Sequence, residues 1–228
     1  MLNYEDAIAP DAVEAARAAR RRLAERVVEA LADRSSGRSR LVRVAVAAEP
    51  VDPFAWLQAQ PVAEKLYWEG RRASTAVAAV GVADVVADDG RPALRHWEAD
   101  LQARLARARD RRLRYFGGLA FDPAQPLDDG WCAFGTYRFV LPRFELNTTE
   151  GEATLACNLV LPRDAGRVDR ILAQIDRLAV PAATDAEPLP AASAREDVPD
   201  RAAWRRMVRW AFQCTAEVKK RLLPVLFQ

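Results

Sequence analysis

Apolar and polar residues alternate over much of the chain in the way that half-buried strands require. Residues 40–47, RLVRVAVA, show the two-residue period clearly, and later segments add aromatic and β-branched side chains. The predicted strands lie at residues 40–47, 63–69, 73–87, 113–121, 132–140, 142–148 and 153–161. The Thr-Thr-Glu-Gly sequence at 148–151 predicts a hairpin between the last two.

Four other segments carry apolar residues three or four positions apart, the spacing of amphipathic helices. These predicted helices lie at residues 10–34, 93–110, 164–179 and 200–221. Asp200 is placed to cap the last of them. Strands interrupted by helices predict an α+β fold with a mostly antiparallel sheet that helices flank.

The pattern also divides the chain into regions. Residues 1–39 form an amino-terminal helix and turn, and 40–180 form the α+β subdomain. Residues 181–199 are rich in Pro, Ala and Asp, which predicts a linker. Residues 200–228 then begin a further region with the last helix.

Composition narrows the functional classes. The chain has 228 residues, 29% of them charged, and a net charge of +2, so we expect neither a nucleic-acid partner nor an anionic membrane surface. No apolar run is long enough for a transmembrane helix, and the amino terminus lacks the apolar core of a secretory signal, which predicts a cytoplasmic protein. Three separated cysteines without a CxxC motif predict neither a disulfide framework nor a zinc site.

Few residues suggest a catalytic site by themselves. His96 is the only histidine, so a usual catalytic triad or a multi-histidine metal site cannot be built. Gly117 and Gly118 lie outside any phosphate-binding motif and predict a structural turn or a close backbone approach. Six arginines between residues 104 and 114 are interrupted by Asp110, which predicts a solvated helix face.

Two sequence segments carry a family resemblance. Residues 114–146, RYFGGLAFDPAQPLDDGWCAFGTYRFVLPRFEL, contain a Tyr-Phe-Gly-Gly strand, then a Trp, then an aromatic-rich strand that ends in Leu-Pro-Arg. Residues 53–84 contain Trp-Leu, then Tyr-Trp-x-x-Arg, then Gly-x-Ala, with Arg71 closing the second element. Both segments resemble chorismate-utilising enzymes, and isochorismate synthases in particular.

The resemblance implies a reaction and a site. In such enzymes a lysine deprotonates water, the water attacks C2 of chorismate, and a glutamic acid protonates the departing C4 hydroxyl group. Lys220 is the position that resembles the general base, and a solvated lysine at a helix end is the other interpretation of this residue. The resemblance also implies Mg²⁺ as the cofactor, chorismate as the substrate and a full-length protein that is a monomer. It covers the amino-terminal half of the family fold and implies that residues 200–228 are the start of a truncated chorismate-binding region. We therefore expect the metal ligands and the acid to lie beyond this chain and the 228 residues alone to be inactive.

Two alternatives remain open at this point. The first is a sibling activity of the same family: salicylate, anthranilate or aminodeoxychorismate synthase. The second is a non-catalytic structural or interaction domain. For an isochorismate synthase, the product would feed menaquinone or salicylate-type siderophore synthesis.

Overall fold

The computed structural model of the chain describes residues 10–32, 39–70, 75–87, 96–108, 110–120, 130–179 and 196–226, with only the backbone described at 10–12, 96 and 215–226. The chain forms two compact units, Met1–Asp185 and Ala186–Gln228. The predicted linker at 181–199 falls largely outside the described residues.

The first unit contains four α-helices, one 3₁₀ helix and six strands within its described residues. In chain order the elements are α1 (Pro10–Ala32), β1 (Arg40–Ala48), α2 (Pro53–Ala59), β2 (Lys65–Glu69), β3 (Thr75–Ala87), α3 (His96–Leu105), β4 (Phe116–Leu119), β5 (Tyr137–Thr149), β6 (Glu152–Leu161), a 3₁₀ helix (Arg163–Arg167) and α4 (Val168–Asp176). Alternating apolar residues produce the strands, and apolar stripes at helical spacing produce α1 and α4.

All six strands belong to one sheet with the order β1-β6-β5-β3-β2, and β4 pairs with β5 beside this path. Every pairing between these strands is antiparallel. The predicted α+β class with a mostly antiparallel sheet is therefore confirmed. The hairpin is confirmed as well, since Glu150 and Gly151 take positive φ values of 51° and 86° between β5 and β6.

The prediction of separate strands at 132–140 and 142–148 is wrong, because β5 runs without a break from Tyr137 to Thr149. Residues 131–134 form a turn instead of the start of a strand. Pro142 interrupts the sequence pattern, but it pairs with Val82 where the ladder between β3 and β5 shifts register. It also lies between the part of β5 that pairs with β4 and the part that pairs with β6. A proline is tolerated there because the regular ladder is already interrupted.

Two helices also differ from the sequence pattern. α2 was not predicted, although Asp52 and Pro53 form a standard helix start, and the Asp52 carboxylate accepts from the amides of Phe54 and Ala55. α3 ends at Leu105, not near residue 110. The segment that follows α3 instead runs beside the start of β1, where Ala108 pairs with Leu41.

The main hydrophobic core lies between one face of the sheet and α1, α2 and α4. The members contributed by the helices are Ala19, Leu23, Val27, Leu31, Trp56, Leu57, Ile171 and Ile175. From the sheet, Val44, Phe144, Leu155 and Leu159 are among the residues that point into the same core. Burying these side chains is the main favourable contribution to folding, at about 25 cal/mol per Å² of apolar area.

The second unit contains helix α5 (Arg201–Leu226). The Asp200 carboxylate accepts from the amide of Ala203 at 2.6 Å, which confirms the predicted cap. The helix continues five residues past the predicted end at 221 and includes Pro224. No helix in the part of the chain that the structure describes is long and apolar enough to cross a membrane.

Candidate functional site

The two segments that carry the family resemblance meet at one cavity of about 330 Å³ beside β2, β3, β4 and β5. Phe116, Phe134 and Val140 from the later segment give it apolar walls, and Leu66 from the earlier segment faces them. Its charged lining residues are Glu64, Lys65 and Arg138. A cavity of this size with apolar walls and a few charged groups can hold a ring-sized organic anion.

Two glycines shape the strands around this cavity. A Cβ on Gly117 would lie 1.8 Å from the carbonyl oxygen of Arg138, so β4 can approach β5 this closely only with glycine at that position. Gly81 has a φ of +65°, which favours glycine, and it precedes the register shift in β3. The predicted close backbone approach at Gly117 is confirmed. The predicted turn is wrong, because both glycines lie within β4, where Gly118 pairs with Arg138 of β5.

The aromatic residues of the earlier segment have different roles. Trp56 and Leu57 lie in α2 and are buried in the main core. Tyr67 and Trp68 lie on β2 and are 39% and 41% exposed. The Arg114 guanidinium lies 5.7 Å from the centre of the Trp68 ring. Arg71 and Phe121 fall outside the described residues.

The face of the sheet opposite the main core carries buried charges. Arg43 and Glu145 form an ion pair at 2.6 Å, and their side chains are only 3% and 2% exposed. Asn158 donates to the second oxygen of Glu145, and Asn147 donates to the same oxygen as Arg43, at 3.2 Å. Both oxygens of this carboxylate thus accept hydrogen bonds, as a buried charge requires.

A second buried ion pair continues this polar layer. Arg143 donates to Asp164 through two bonds of 2.7 and 3.3 Å, and Asp164 is fully buried. The amide of Val160 donates to the same carboxylate at 2.8 Å. Because Asp164 belongs to the 3₁₀ helix after β6, the pair fixes this helix against the sheet. Both carboxylate oxygens accept hydrogen bonds in structural contacts, so the pair is a poor candidate for acid–base chemistry.

A third polar group surrounds Asp84 on β3. The Tyr115 hydroxyl donates to its carboxylate at 2.6 Å, Arg104 of α3 donates to it as well, and Arg163 lies at 3.6 Å. Burial, followed by the hydrogen bond to Asp84, raises the pKa of Tyr115. The tyrosine therefore stays protonated at neutral pH and acts as a donor to the carboxylate.

The predicted solvated helix face of arginines is wrong in part. Arg104 is on α3, but it bonds to Asp84 and lines a cavity of about 250 Å³ together with Arg107 and Asp100. Arg112 lies after the helix and donates to Asp110 at 3.1 and 3.0 Å. The helix ends too early for one continuous stripe. Arg109 falls outside the described residues.

Lys220, the residue predicted as general base, lies within α5. Its side chain falls outside the described part of the chain, so no contact is assigned to it. The backbone is helical through Leu226, so this residue lies within the helix and not at its end. The side chain of His96, at the start of α3, is likewise outside the described residues.

The described residues do not fit the Mg²⁺ that the resemblance implies. Among them, no three His, Cys, Asp or Glu side chains converge as ligands for a metal ion. The carboxylates of Glu145 and Asp164 already accept hydrogen bonds on both oxygens from Arg, Asn and backbone donors. We therefore assign no metal ligand to the described residues and derive no step through a metal.

The fold is an α+β domain with an antiparallel sheet, and comparisons with known proteins define its family. The sequence model described as chorismate binding enzyme matches residues 25–222. The chain belongs to this family of chorismate-binding enzymes.

A further comparison concerns solved structures. The chain is similar to MenF, the menaquinone-specific isochorismate synthase from Escherichia coli, with 20% sequence identity and a TM-score of 0.49. The similarity covers 85% of this chain and 42% of that one, so the chain spans less than half of the length of MenF. A comparison with curated protein sequences returns no match.

Proposed function

We propose that the protein is an isochorismate synthase that converts chorismate to isochorismate by moving a hydroxyl group from C4 to C2. The observation that carries this proposal is the family match over residues 25–222. The Tyr-Phe-Gly-Gly strand and the Tyr-Trp strand, which resemble isochorismate synthases within that family, support the particular reaction. The reaction is an isomerisation, so it needs an acid and a base but no redox group.

In this proposal Lys220 is the general base that activates water. A lysine can act as a base near neutral pH only if its surroundings lower its pKa, and burial or a neighbouring positive charge does this. Glutamic acid and Mg²⁺ complete the chemistry that the resemblance implies.

We further propose that the 228 residues alone are inactive. The resemblance assigns to this chain only the base of the acid–base pair, and the described residues offer no metal site. A base without its acid and without a group that orients the substrate loses most of the rate enhancement, because positioning and electrostatic stabilisation supply the larger part.

The test is product analysis after incubation with chorismate and Mg²⁺. The samples are residues 1–228 and the product of the whole reading frame, with a second enzyme that converts isochorismate to a detectable compound. We expect isochorismate from the second sample alone. Salicylate, anthranilate or aminodeoxychorismate in its place would identify a sibling activity, and no turnover by either sample would favour a structural role. Turnover by residues 1–228 would contradict the proposed inactivity.

A variant pair tests the base. Lys220→Ala in the active protein is expected to lower kcat about 100-fold or more, in the range found when general bases are removed. Lys219→Ala is the matched control, since it removes the adjacent lysine, and it should keep most of the activity. Equal activity of the two variants would contradict the assignment of Lys220 without affecting the family.

A further inference from the structure

The two edge strands of the sheet, β1 and β2, differ in how far other parts of the fold bond to their outward backbone groups. At β1, the amide of Leu41 donates to the segment after α3 at 3.3 Å. Arg22 of α1 donates to the carbonyl oxygen of Ala47 at 3.1 Å. Arg26, one helical turn later, donates to that of Ala45 at the same distance. The β1 edge is therefore covered along most of its length, and it cannot easily accept another strand.

The β2 edge is open within the described residues. The carbonyl of Glu64 accepts from β3 at 3.0 Å, and the amide of Gly70 donates to the start of β3 at 2.9 Å. Bonded residues alternate in an antiparallel pair, so the backbone groups of Lys65, Tyr67 and Glu69 point away from β3. None of these three residues forms an outward backbone hydrogen bond to another described residue.

The sequence of this edge is complementary to itself when it is read in the opposite direction. We propose that β2 is an interaction surface for a second copy of this chain, with the two β2 strands antiparallel about a twofold axis at Tyr67. Lys65 then faces Glu69 of the second copy, and the two Tyr67 residues face each other. These are the residues with outward backbone groups, so each facing pair can exchange two hydrogen bonds.

Charge favours this particular register. Charged residues on an edge strand usually prevent pairing, because like charges meet when two copies approach. Here the charges at the two ends of β2 are opposite, so antiparallel pairing brings each lysine to a glutamate. Lys65 and Glu69 are both exposed, and neither belongs to an ion pair among the described residues. A register shifted by two residues would lose both complementary pairs.

The side chains add apolar area on both faces of the strand. Tyr67 and Trp68 point to opposite faces and are 39% and 41% exposed. In the proposed pairing, Trp68 faces Leu66 of the second copy, and the two Tyr67 rings are adjacent. Aromatic and aliphatic cross-strand pairs of this kind stabilise strand pairing.

A five-residue strand makes a small interface. We expect a weak dimer with a dissociation constant on the order of 10–100 µM, as for other small interfaces. The proposal concerns the chain of 228 residues, whereas the expectation of a monomer concerns a full-length protein. It does not depend on the catalytic proposal.

The test is sedimentation velocity of the 228-residue protein between about 1 and 300 µM, which brackets the dissociation constant expected for a small interface. Wild type should shift from monomer to dimer over this range. Lys65→Glu places like charges opposite each other twice and should weaken the dimer about tenfold or more. The double variant Lys65→Glu/Glu69→Lys restores opposite charges at both positions and should restore the dimer. Circular dichroism checks that each variant remains folded.

Three results would contradict the proposal. A wild-type protein that stays monomeric at 300 µM, the top of that range, has no such interface. Association that is unchanged in Lys65→Glu uses another surface. A double variant as weak as the single variant shows that charge pairing across β2 is not involved.

Discussion

The two faces of the sheet differ in the polar groups that they bury, although the face opposite the main core also carries a small apolar cluster of Leu41, Ala83, Leu113, Leu141 and Val160. One face packs aliphatic and aromatic side chains against α1, α2 and α4. The other buries Arg43 with Glu145 and Arg143 with Asp164, each held by further hydrogen bonds. Apolar burial tolerates small changes of shape, whereas a buried ion pair is stable only while both partners and their donors are present. The apolar face thus supplies stability, and the charged face requires one particular arrangement.

The largest effect is expected on the charged face. Glu145→Ala leaves the Arg43 guanidinium buried without its partner, and we expect the free energy of unfolding to fall by about 3–5 kcal/mol. Urea unfolding followed by circular dichroism measures the change. Glu152→Ala, an exposed position on the same hairpin, is the control and should change it by less than about 0.5 kcal/mol.

A double variant sharpens the same comparison. In Arg43→Met/Glu145→Leu both charges are replaced by apolar side chains of similar size, so neither is left unpaired. We expect it to be more stable than Glu145→Ala, because replacing a whole buried pair is often close to neutral. If the double variant is the less stable of the two, the charged layer contributes stability as well as specificity.

Substitutions on the apolar face are expected to lower the free energy of unfolding somewhat less than Glu145→Ala does. Leu159→Ala removes a fully buried side chain from the main core and should lower the free energy of unfolding by about 3 kcal/mol. Leu159→Met keeps most of the volume and should cost less than about 1.5 kcal/mol. If both variants lose the same free energy of unfolding, the shape of the side chain, and not its volume, determines the stability of this core.

The apolar face also makes stability depend on pH through one buried thiol. Burial raises the pKa of the Cys157 thiol, which faces the main core, to about 12. The unfolded chain releases this proton near pH 9, whereas the folded protein keeps it up to about pH 12. Each rise of one pH unit within that interval therefore lowers the free energy of unfolding by up to about 1.4 kcal/mol.

The measurement is the free energy of unfolding at several pH values from 8 upwards, for wild type and for Cys157→Ala. Wild type should lose stability more steeply than the variant above pH 9. Below this pH the contribution of the thiol is fully present, and the two slopes should agree. Parallel slopes over the whole range would mean that the thiol is not buried as described.

The smallest effect concerns the helix that was missed in the sequence. Asp52→Ala removes the cap of α2, which covers part of the apolar face, and should cost about 1 kcal/mol. Asp52→Asn keeps a side-chain acceptor and should recover most of the loss. Thermal unfolding of the three proteins distinguishes these outcomes.

Most of the fold could be predicted because its strands and helices follow simple periods. Leu23, Val27 and Leu31 on α1 and the alternating residues of β1 are buried as the pattern requires. The pattern failed at Pro142, where a local rule about proline was overridden by the register shift beside it. It also failed at α2, which is too short to show a helical period but begins with a recognisable Asp-Pro cap.

The charged layer could not be predicted from single residues, although its signal is present. The polar residues of this layer alternate with apolar ones along their strands, so they share one face: Arg43, Arg143, Glu145 and Asn158. Which acid meets which base depends on the register between strands that are distant in sequence. Lys220 stays a prediction that rests on resemblance alone.

The short turn at Glu150 and Gly151 has a consequence for the order of folding. β5 and β6 need only this turn to meet, so closing their loop costs little chain entropy. β1 and β3 pair with the hairpin only after much longer stretches of chain have been ordered. We therefore expect the hairpin to form early and the outer strands to add late, so that substitutions in the hairpin slow folding and those in β1 mainly speed unfolding.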